Sequence, residues 1–336
     1  MSEILQPREN PHLFGHPAAE SELLKATRNG RLHHAWLLTG PHGIGKATLA
    51  YRFARWLLAG AKGESLALSP NHPTYRRVAV GTHADLLSIE REWDPKRKRQ
   101  RGEILVEDVR RIADFLRLTP AEGGWRVVVV DGADALNRHA ANALLKVLEE
   151  PPGRTVLLLV ANAAGRILPT IRSRCRQLRL SPLRQEDMEQ ALLALLPEQS
   201  AEERRKLASL AEGSPGRAVL LFEGQGLELA DLVDEVLGDL PRLDLARAYR
   251  VADALGAGEN AFPVFMQLLR ARLARLVREV ASGKAEAQER EILAPRALDD
   301  WAEVWHALGS LADEAETFHL DQRQAIVNGL QLLSAR

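Results

Sequence analysis

The 336-residue chain is long enough for two or three domains, and 46% apolar content is ample for folded cores. Lys plus Arg (45) balances Asp plus Glu (45), so net charge gives no argument for a nucleic-acid field over the whole molecule, though a local basic patch stays open. The single cysteine, Cys175, excludes an internal disulfide and a multi-cysteine zinc site, and fits a reducing cytosol.

The N-terminal residues carry no apolar stretch of signal-peptide type, and no apolar run approaches ~18 residues, so neither a signal peptide nor a membrane span is expected. Pro17 to Arg28 reads as an amphipathic helix with Leu23, Leu24 and Thr27 on one face, ended by Asn29-Gly30. Ala35 to Thr39 is a short apolar strand. Gly40 to Lys46 matches G-x-x-x-x-G-K, and Leu49 to Leu58 is apolar at helical spacing. Strand, glycine loop and helix in that order is the context of a P-loop. Gly40, Gly43 and Gly45 let backbone N–H groups turn toward phosphate, and Lys46 would neutralise the outer phosphates. The residue after the lysine should be Ser or Thr, to ligate Mg²⁺. Here it is Ala47, with Thr48 one place on, and a one-residue offset rotates a helical side chain by ~100°. Two readings follow: a cradle for ATP or ADP with weakened Mg²⁺ binding, or a glycine-rich turn with an exposed lysine.

Residues 60–103 read as irregular, broken by Pro70, Pro73 and Pro95, with Asp85 to Glu90 able to form one strand. The basic run Pro95 to Arg101 either touches DNA or an acidic partner, or is a solvated loop, since no aromatic residues interleave. No structural zinc is expected, because the segment after the P-loop helix offers only His72 and His83 as ligands. Glu107 to Leu118 is helical, with Val109, Ile112, Ala113 and Leu116 on one stripe.

The run WRVVVVDGADALNRHAANALLKVLEEPP, Trp125 to Pro152, organises the chain. Val127 to Val130 suits a strand buried on both faces, and Asp131 stands at its end. Asn137 can cap a helix carrying Ala140, Leu144, Val147 and Leu148, which Pro151 and Pro152 stop. A buried strand ending in Asp is what a nucleoside-triphosphatase uses to hold Mg²⁺, usually with a Glu next to it to prepare the attacking water. Here the next residue is Gly132. Thr155 to Val160 is a second buried strand ending in Ala161-Asn162. Asn162 can reach a γ-phosphate or its attacking water, or simply serve a turn. Gln177 to Leu180 alternates like a half-buried strand, preceded by Ser173-Arg174-Cys175 on a short helix or turn. On composition alone the arginines there (Arg172, Arg174, Arg176, Arg179) are a charged turn. After Pro182, Glu186 to Leu196, Glu202 to Glu212 and Gly213 to Phe222 form a three-helix unit. Residues 228–336 are helical in pattern, without a glycine loop or chemical cluster, which suits packing or association. His306 and His319 read as surface or interface residues, since no partner ligands stand at metal spacing.

HHAWLLTGPHGIGKATLA, NRHAANALLKVLEEPP and Ser-Arg-Cys, in this order, resemble the clamp-loader branch of the AAA+ superfamily, across about residues 10–222. The resemblance implies an α/β P-loop core with a parallel sheet over 1–181, a three-helix lid over 182–223 and an all-α collar for oligomerisation over 224–336. It places Asn162 at the sensor-1 position and Arg217, within GSPGRA, at sensor-2. It makes Arg174, flanked by Ser173 and Cys175, an arginine finger acting in trans on a neighbouring ATPase subunit. Motor subunits of the family read Asp-Glu and Gly-Lys-Thr where this chain reads Asp131-Gly132 and Lys46-Ala47. These departures imply a cytoplasmic, non-hydrolysing stator. Its implied partners are motor (gamma/tau) and delta subunits and, through the complex, the sliding clamp and primed DNA. The family's zinc-binding cysteine module is absent, since Ser65 to Thr82 holds no cysteine. Two alternatives stay open: an ATP-hydrolysing motor subunit, testable by turnover of the isolated chain, and a DNA-binding module, testable by salt-dependent affinity.

Overall fold

The computed structural model describes residues 5–94, 99–240, 243–256, 261–318 and 320–334. Pro95 to Lys98 of the basic run, and His319, lie outside the described residues.

The chain divides into two compact units, residues 1–199 with 211–217, and residues 200–210 with 218–336. The first holds the sheet. β1 (Ala35–Thr39), β2 (Leu86–Ile89), β5 (Arg126–Asp131), β6 (Thr155–Ala161) and β7 (Arg176–Arg179) form one parallel sheet in the order β2-β5-β6-β1-β7. β1 and β6 are buried along their whole length and β5 up to Asp131, which is why they read as unbroken apolar runs. β7 is an edge strand in which only Leu178 is buried, and it shows the alternation of a half-covered strand.

Because every strand runs the same way, Thr39, Ile89, Asp131, Ala161 and Arg179 all end at one edge of the sheet. β1 lies between β6 and β7, so the strand order reverses there, the place where open α/β sheets form a crevice for ligands. Alternate strand residues face opposite ways. Leu37, Val128, Val130, Leu157 and Leu159 pack in one core with Ile112 and Leu116 of α4 (Val106–Arg117) and Ala140, Leu144 and Leu148 of α5 (Arg138–Glu149). On the other side, α2 (Lys46–Leu58) packs against β1, β5 and β6. Asn137 caps α5 as its position suggests, its Oδ1 accepting from Ala140 N at 2.9 Å.

α1 (Pro17–Arg28) buries Ala19, Leu23 and Ala26, an i, i+4, i+7 stripe, rather than the Leu23, Leu24 and Thr27 face. Ahead of it, the N-terminal segment is tied to α2. Arg55, only 1% exposed, donates to the carbonyls of Arg8 (3.0 Å) and Asn10 (2.9 Å). Residues 60–103 are less irregular than expected. Pro73 opens α3 (Pro73–Ala79) instead of breaking structure, because the first helical position needs no N–H. His72 Nδ1 accepts from Thr74 N at 3.2 Å as its cap. A two-strand antiparallel ladder pairs β3 (Trp93–Asp94) with β4 (Arg99–Gln100), the latter within the basic run.

α6 (Pro169–Arg172) precedes β7, and α7 (Gln185–Leu195), α8 (Ala201–Ala211) and α9 (Pro215–Glu223) follow it. The second unit continues with α10 (Gly226–Gly238), α11 (Leu245–Leu255), α12 (Ala261–Ala281), α13 (Ala287–Leu293), α14 (Leu298–Phe318) and α15 (Gln322–Ser334). α12 packs on α10 and α14, and α15 on α11 and α14. Phe265, Leu269, Leu273, Trp301, Leu308 and Leu330 form its interior. No described helix is long and apolar enough to cross a membrane.

Candidate functional site

The site is built where β1 runs into α2. Gly40 takes φ +149°, and a Cβ there would lie 2.3 Å from the carbonyl oxygen of Leu180, so only glycine fits beside β7. The carbonyls of the following loop are each taken by the protein. Pro41 O accepts from Lys46 Nζ (2.5 Å), His42 O from Ser214 Oγ (2.8 Å), Gly43 O from Gly216 N (2.9 Å) and Ile44 O from His16 Nε2 (2.7 Å). Burial lowers the pKa of His16, favouring its neutral form, whose Nε2–H donates to this carbonyl. With the carbonyls so occupied, the N–H groups of Gly43, Gly45, Lys46, Ala47 and Thr48 meet no acceptor among the described residues. A glycine-rich loop with unpaired N–H groups at a helix N-terminus suits an anion.

The clamp on this loop comes from GSPGR. A Cβ on Gly43 would lie 2.5 Å from Ser214 Oγ, and one on Gly216 2.9 Å from Gly43 Cα, so two glycines meet backbone to backbone. Ser214 Oγ also accepts from Arg217 N at 3.1 Å. Arg217 is thereby held against the loop. Its Nη1 pairs with Glu212 at 2.8 Å, while Nε and Nη2 are buried without an acceptor among the described residues.

Lys46 is 4% exposed, and its Nζ also donates to Asn162 Oδ1 at 2.9 Å. Burial lowers its pKa to about 8, against the pull of Asp131 and Asp134. Asp131 is raised to about 6, by burial first and Glu90 second, although Lys46 opposes both. Lys46 and Asp131 attract each other, yet each is shifted toward its neutral form, so desolvation outweighs the pairing. Glu90 is there because β2 pairs with β5 in the register Ile89↔Val130, which sets the next residues, Glu90 and Asp131, side by side at the strand tips. Asp134 sits on the 3₁₀ turn Ala133–Ala135. Its Oδ2 accepts from Asn162 N (3.0 Å) and Ala163 N (3.3 Å), fixing the tip of β6. Gly132 takes φ +88°, and open space surrounds the place of its absent Cβ. Thr48 is buried, whereas Ala47 stays partly exposed at the loop.

Gly40, Gly43, Gly45, Lys46, Asp131, Asn162 and Arg217 thus share one end of the sheet. Glu90, Asp134, His16 and Ser214 join them without having been singled out in the sequence. For Glu90 the signal was present as the last residue of a recognised strand, but only pairing with β5 gives it a neighbour. For His16 the sequence carried no signal, and Ser214 stood within GSPGRA with only Arg217 given a role. Arg174 is elsewhere: it makes no hydrogen bond or ion pair with these residues among the described contacts. Its Nη2 pairs with Glu149 Oε1 at 2.8 Å and its Nη1 donates to Thr170 O at 2.9 Å. Ser173 Oγ donates to Thr170 O (3.1 Å). Cys175 is buried, its thiol pushed up to about 12, so it anchors the turn as an apolar side chain rather than a nucleophile. No group of three or more His, Cys, Asp or Glu side chains suited to a metal occurs among the described residues.

The model of the DNA polymerase III, delta subunit family matches residues 15–184, the segment that carries the sheet and the loop. DNA polymerase III subunit delta' of Pseudomonas aeruginosa is 43% identical over 201 residues, 58% of this chain and 57% of that protein. DNA polymerase III subunit tau of Escherichia coli is 32% identical over 253 residues, 71% of this chain and 38% of that protein. Subunit delta' of Escherichia coli is 33% identical over 218 residues, 64% of this chain and 62% of that protein. The chain spans less than two thirds of the length of these curated relatives.

Proposed function

The chain belongs to the DNA polymerase III, delta subunit family, and from that premise we propose that it is a clamp-loader subunit that binds nucleotide without hydrolysing it alone. In this reading it works in the cytoplasm beside motor (gamma/tau) and delta subunits, within the DNA polymerase III holoenzyme. There it helps place the sliding clamp on primed DNA. Residues 1–181 serve as the core, 182–223 as the lid, and 224–336 as the collar that associates with the other subunits.

The observation that carries the reading is a finished phosphate cradle beside unfinished hydrolytic machinery. The unpaired N–H groups from Gly43 to Thr48, together with Lys46, suit the polyphosphate of ATP or ADP. Arg217 has buried, unpartnered nitrogens close to the same loop, able to meet an outer phosphate oxygen. Asn162, already on Lys46 Nζ, is placed to contact the terminal phosphate or a water. A Mg²⁺ ion, where bound with the nucleotide, would neutralise phosphate charge. Asp131 can serve it, but Ala47 has no hydroxyl to offer. Gly132 has no side chain to orient an attacking water. Arg174 would act on ATP bound by the adjacent motor subunit, where transition-state charge on the γ-phosphate calls for a guanidinium.

Calorimetric titration of the isolated chain with ATP and ADP is expected to show binding that Lys46→Ala removes, while purified chain shows no steady ATP turnover. One observation favours a second reading, an active motor: Glu90 brings a carboxylate to the strand tip beside Asp131. Steady turnover abolished by Lys46→Ala and by Glu90→Gln alike would replace the first reading with the second.

A further inference from the structure

Arg174 is partly exposed just after α6, where a long cationic side chain could be expected to swing freely. Instead, its two terminal nitrogens are held by different elements. Nη2 pairs with Glu149, the final residue of α5, and Nη1 donates to Thr170 O in α6. Two anchors at opposite ends of a planar fork fix its plane as well as its place. They use one N–H on each terminal nitrogen. The second N–H on each, and Nε–H, meet no acceptor among the described residues. The guanidinium is oriented but not occupied.

The anchors are themselves fixed. α5 packs on the sheet through Ala140, Leu144 and Leu148, and on α6, while Ile171 and Cys175 are buried on either side of the Arg174 turn. Glu149 has no other hydrogen-bond or ion-pair partner among the described residues, and its side chain is 48% exposed against 37% for Arg174, so the pair stands open to an incoming group.

We propose that Glu149 is a positioning residue for Arg174: its carboxylate holds the guanidinium plane so that the remaining N–H groups are ready for a terminal phosphate presented by a neighbouring subunit. This rests on the trans role of Arg174 given above. An arginine held in advance loses less rotamer freedom when it meets the phosphate. The pair is half-exposed, so its effect on rate is bounded by what such pairs contribute, about two- to fivefold.

The test uses the assembled complex with a single hydrolysis-competent motor site, the one next to this chain, and reads DNA- and clamp-stimulated ATP turnover. Glu149→Ala is expected to lower kcat about two- to fivefold with KM for ATP unchanged. Glu149→Gln keeps an acceptor and should retain most of the rate. In an Arg174→Ala background, Glu149→Ala should add nothing. Assembly, followed by gel filtration, should be the same for all. An unchanged or raised rate in Glu149→Ala, while Arg174→Ala lowers it, overturns the positioning role alone. A loss that persists in the Arg174→Ala background overturns it as well, since the glutamate would then act through something else. A normal rate in Arg174→Ala overturns the trans role itself and this inference with it.

Discussion

At the scale of single residues, the site is a balance of desolvation against pairing. Asp131 is held at about 6 instead of its ordinary 3.8. The sign follows from proton binding. Between those values the folded protein binds more protons than the unfolded chain, so stability falls as pH rises from about 4 to 6 and the penalty is complete above that window. Asp131→Asn keeps the shape and removes the charge. It should therefore raise stability by about 1–3 kcal/mol at pH 7.5, with the gain shrinking as pH falls through 6 toward 4. Thermal unfolding across that range is the measurement. Such a gain at a position proposed to serve a ligand would mark a residue kept for function rather than stability. Gly132 is the opposite case. Its φ of +88° strains any side-chain-bearing residue there, so the missing Glu is a backbone feature as well as a chemical one.

At the scale of elements, the P-loop is held open by what surrounds it. Ser214 joins His42 O and Arg217 N, and Gly216 closes on Gly43. Gly43→Ala would push a Cβ against Ser214 Oγ at a backbone position with φ +73°. It should lower stability by about 1–3 kcal/mol and weaken nucleotide binding together with it. Ser214→Ala is the gentler probe. It removes one hydroxyl at no steric cost, and should weaken ATP binding about five- to hundredfold, at ~0.5–1.5 kcal/mol for each of the two hydrogen bonds it makes, with circular dichroism unchanged. Equal nucleotide affinity in Ser214→Ala would mean that the loop keeps its shape unaided.

At the scale of the whole molecule, the proposed function gives the chain two kinds of site with different dependence on company. In that proposal the residues of the cradle all come from one chain, so nucleotide binding should be measurable on the isolated protein. Arg174 has no substrate of its own among the residues around it, so its contribution should appear only on assembly. Arg174→Ala should bind ATP with wild-type affinity alone, yet lower stimulated hydrolysis of the reconstituted complex. A finger elsewhere is worth ~10³–10⁵ in rate, and the loss here should be smaller, because the other motor sites keep theirs. Arg174→Lys should restore little, since an ammonium lacks the planar fork. Equal loading rates for wild-type and Arg174→Ala complexes would remove the role.

Local pattern alone determined the sheet strands and most helices, because their signals are local. Val127 to Val130 and Thr155 to Val160 suit buried strands by their unbroken apolar runs, and Gly40 to Lys46 needs only glycine spacing and its flanks. The helix opened by Pro73 was missed because proline marks both helix starts and breaks, and only His72 capping Thr74 N decides which. Tertiary structure alone could decide the neighbours. Strand register sets Glu90 beside Asp131, a glycine contact sets residue 216 against 43, and α5 brings Glu149 to Arg174. These pairs lie 25 to 173 positions apart in the chain. Periodicity within an element carries no information about which distant residue closes upon it; only packing of the whole core selects that pairing.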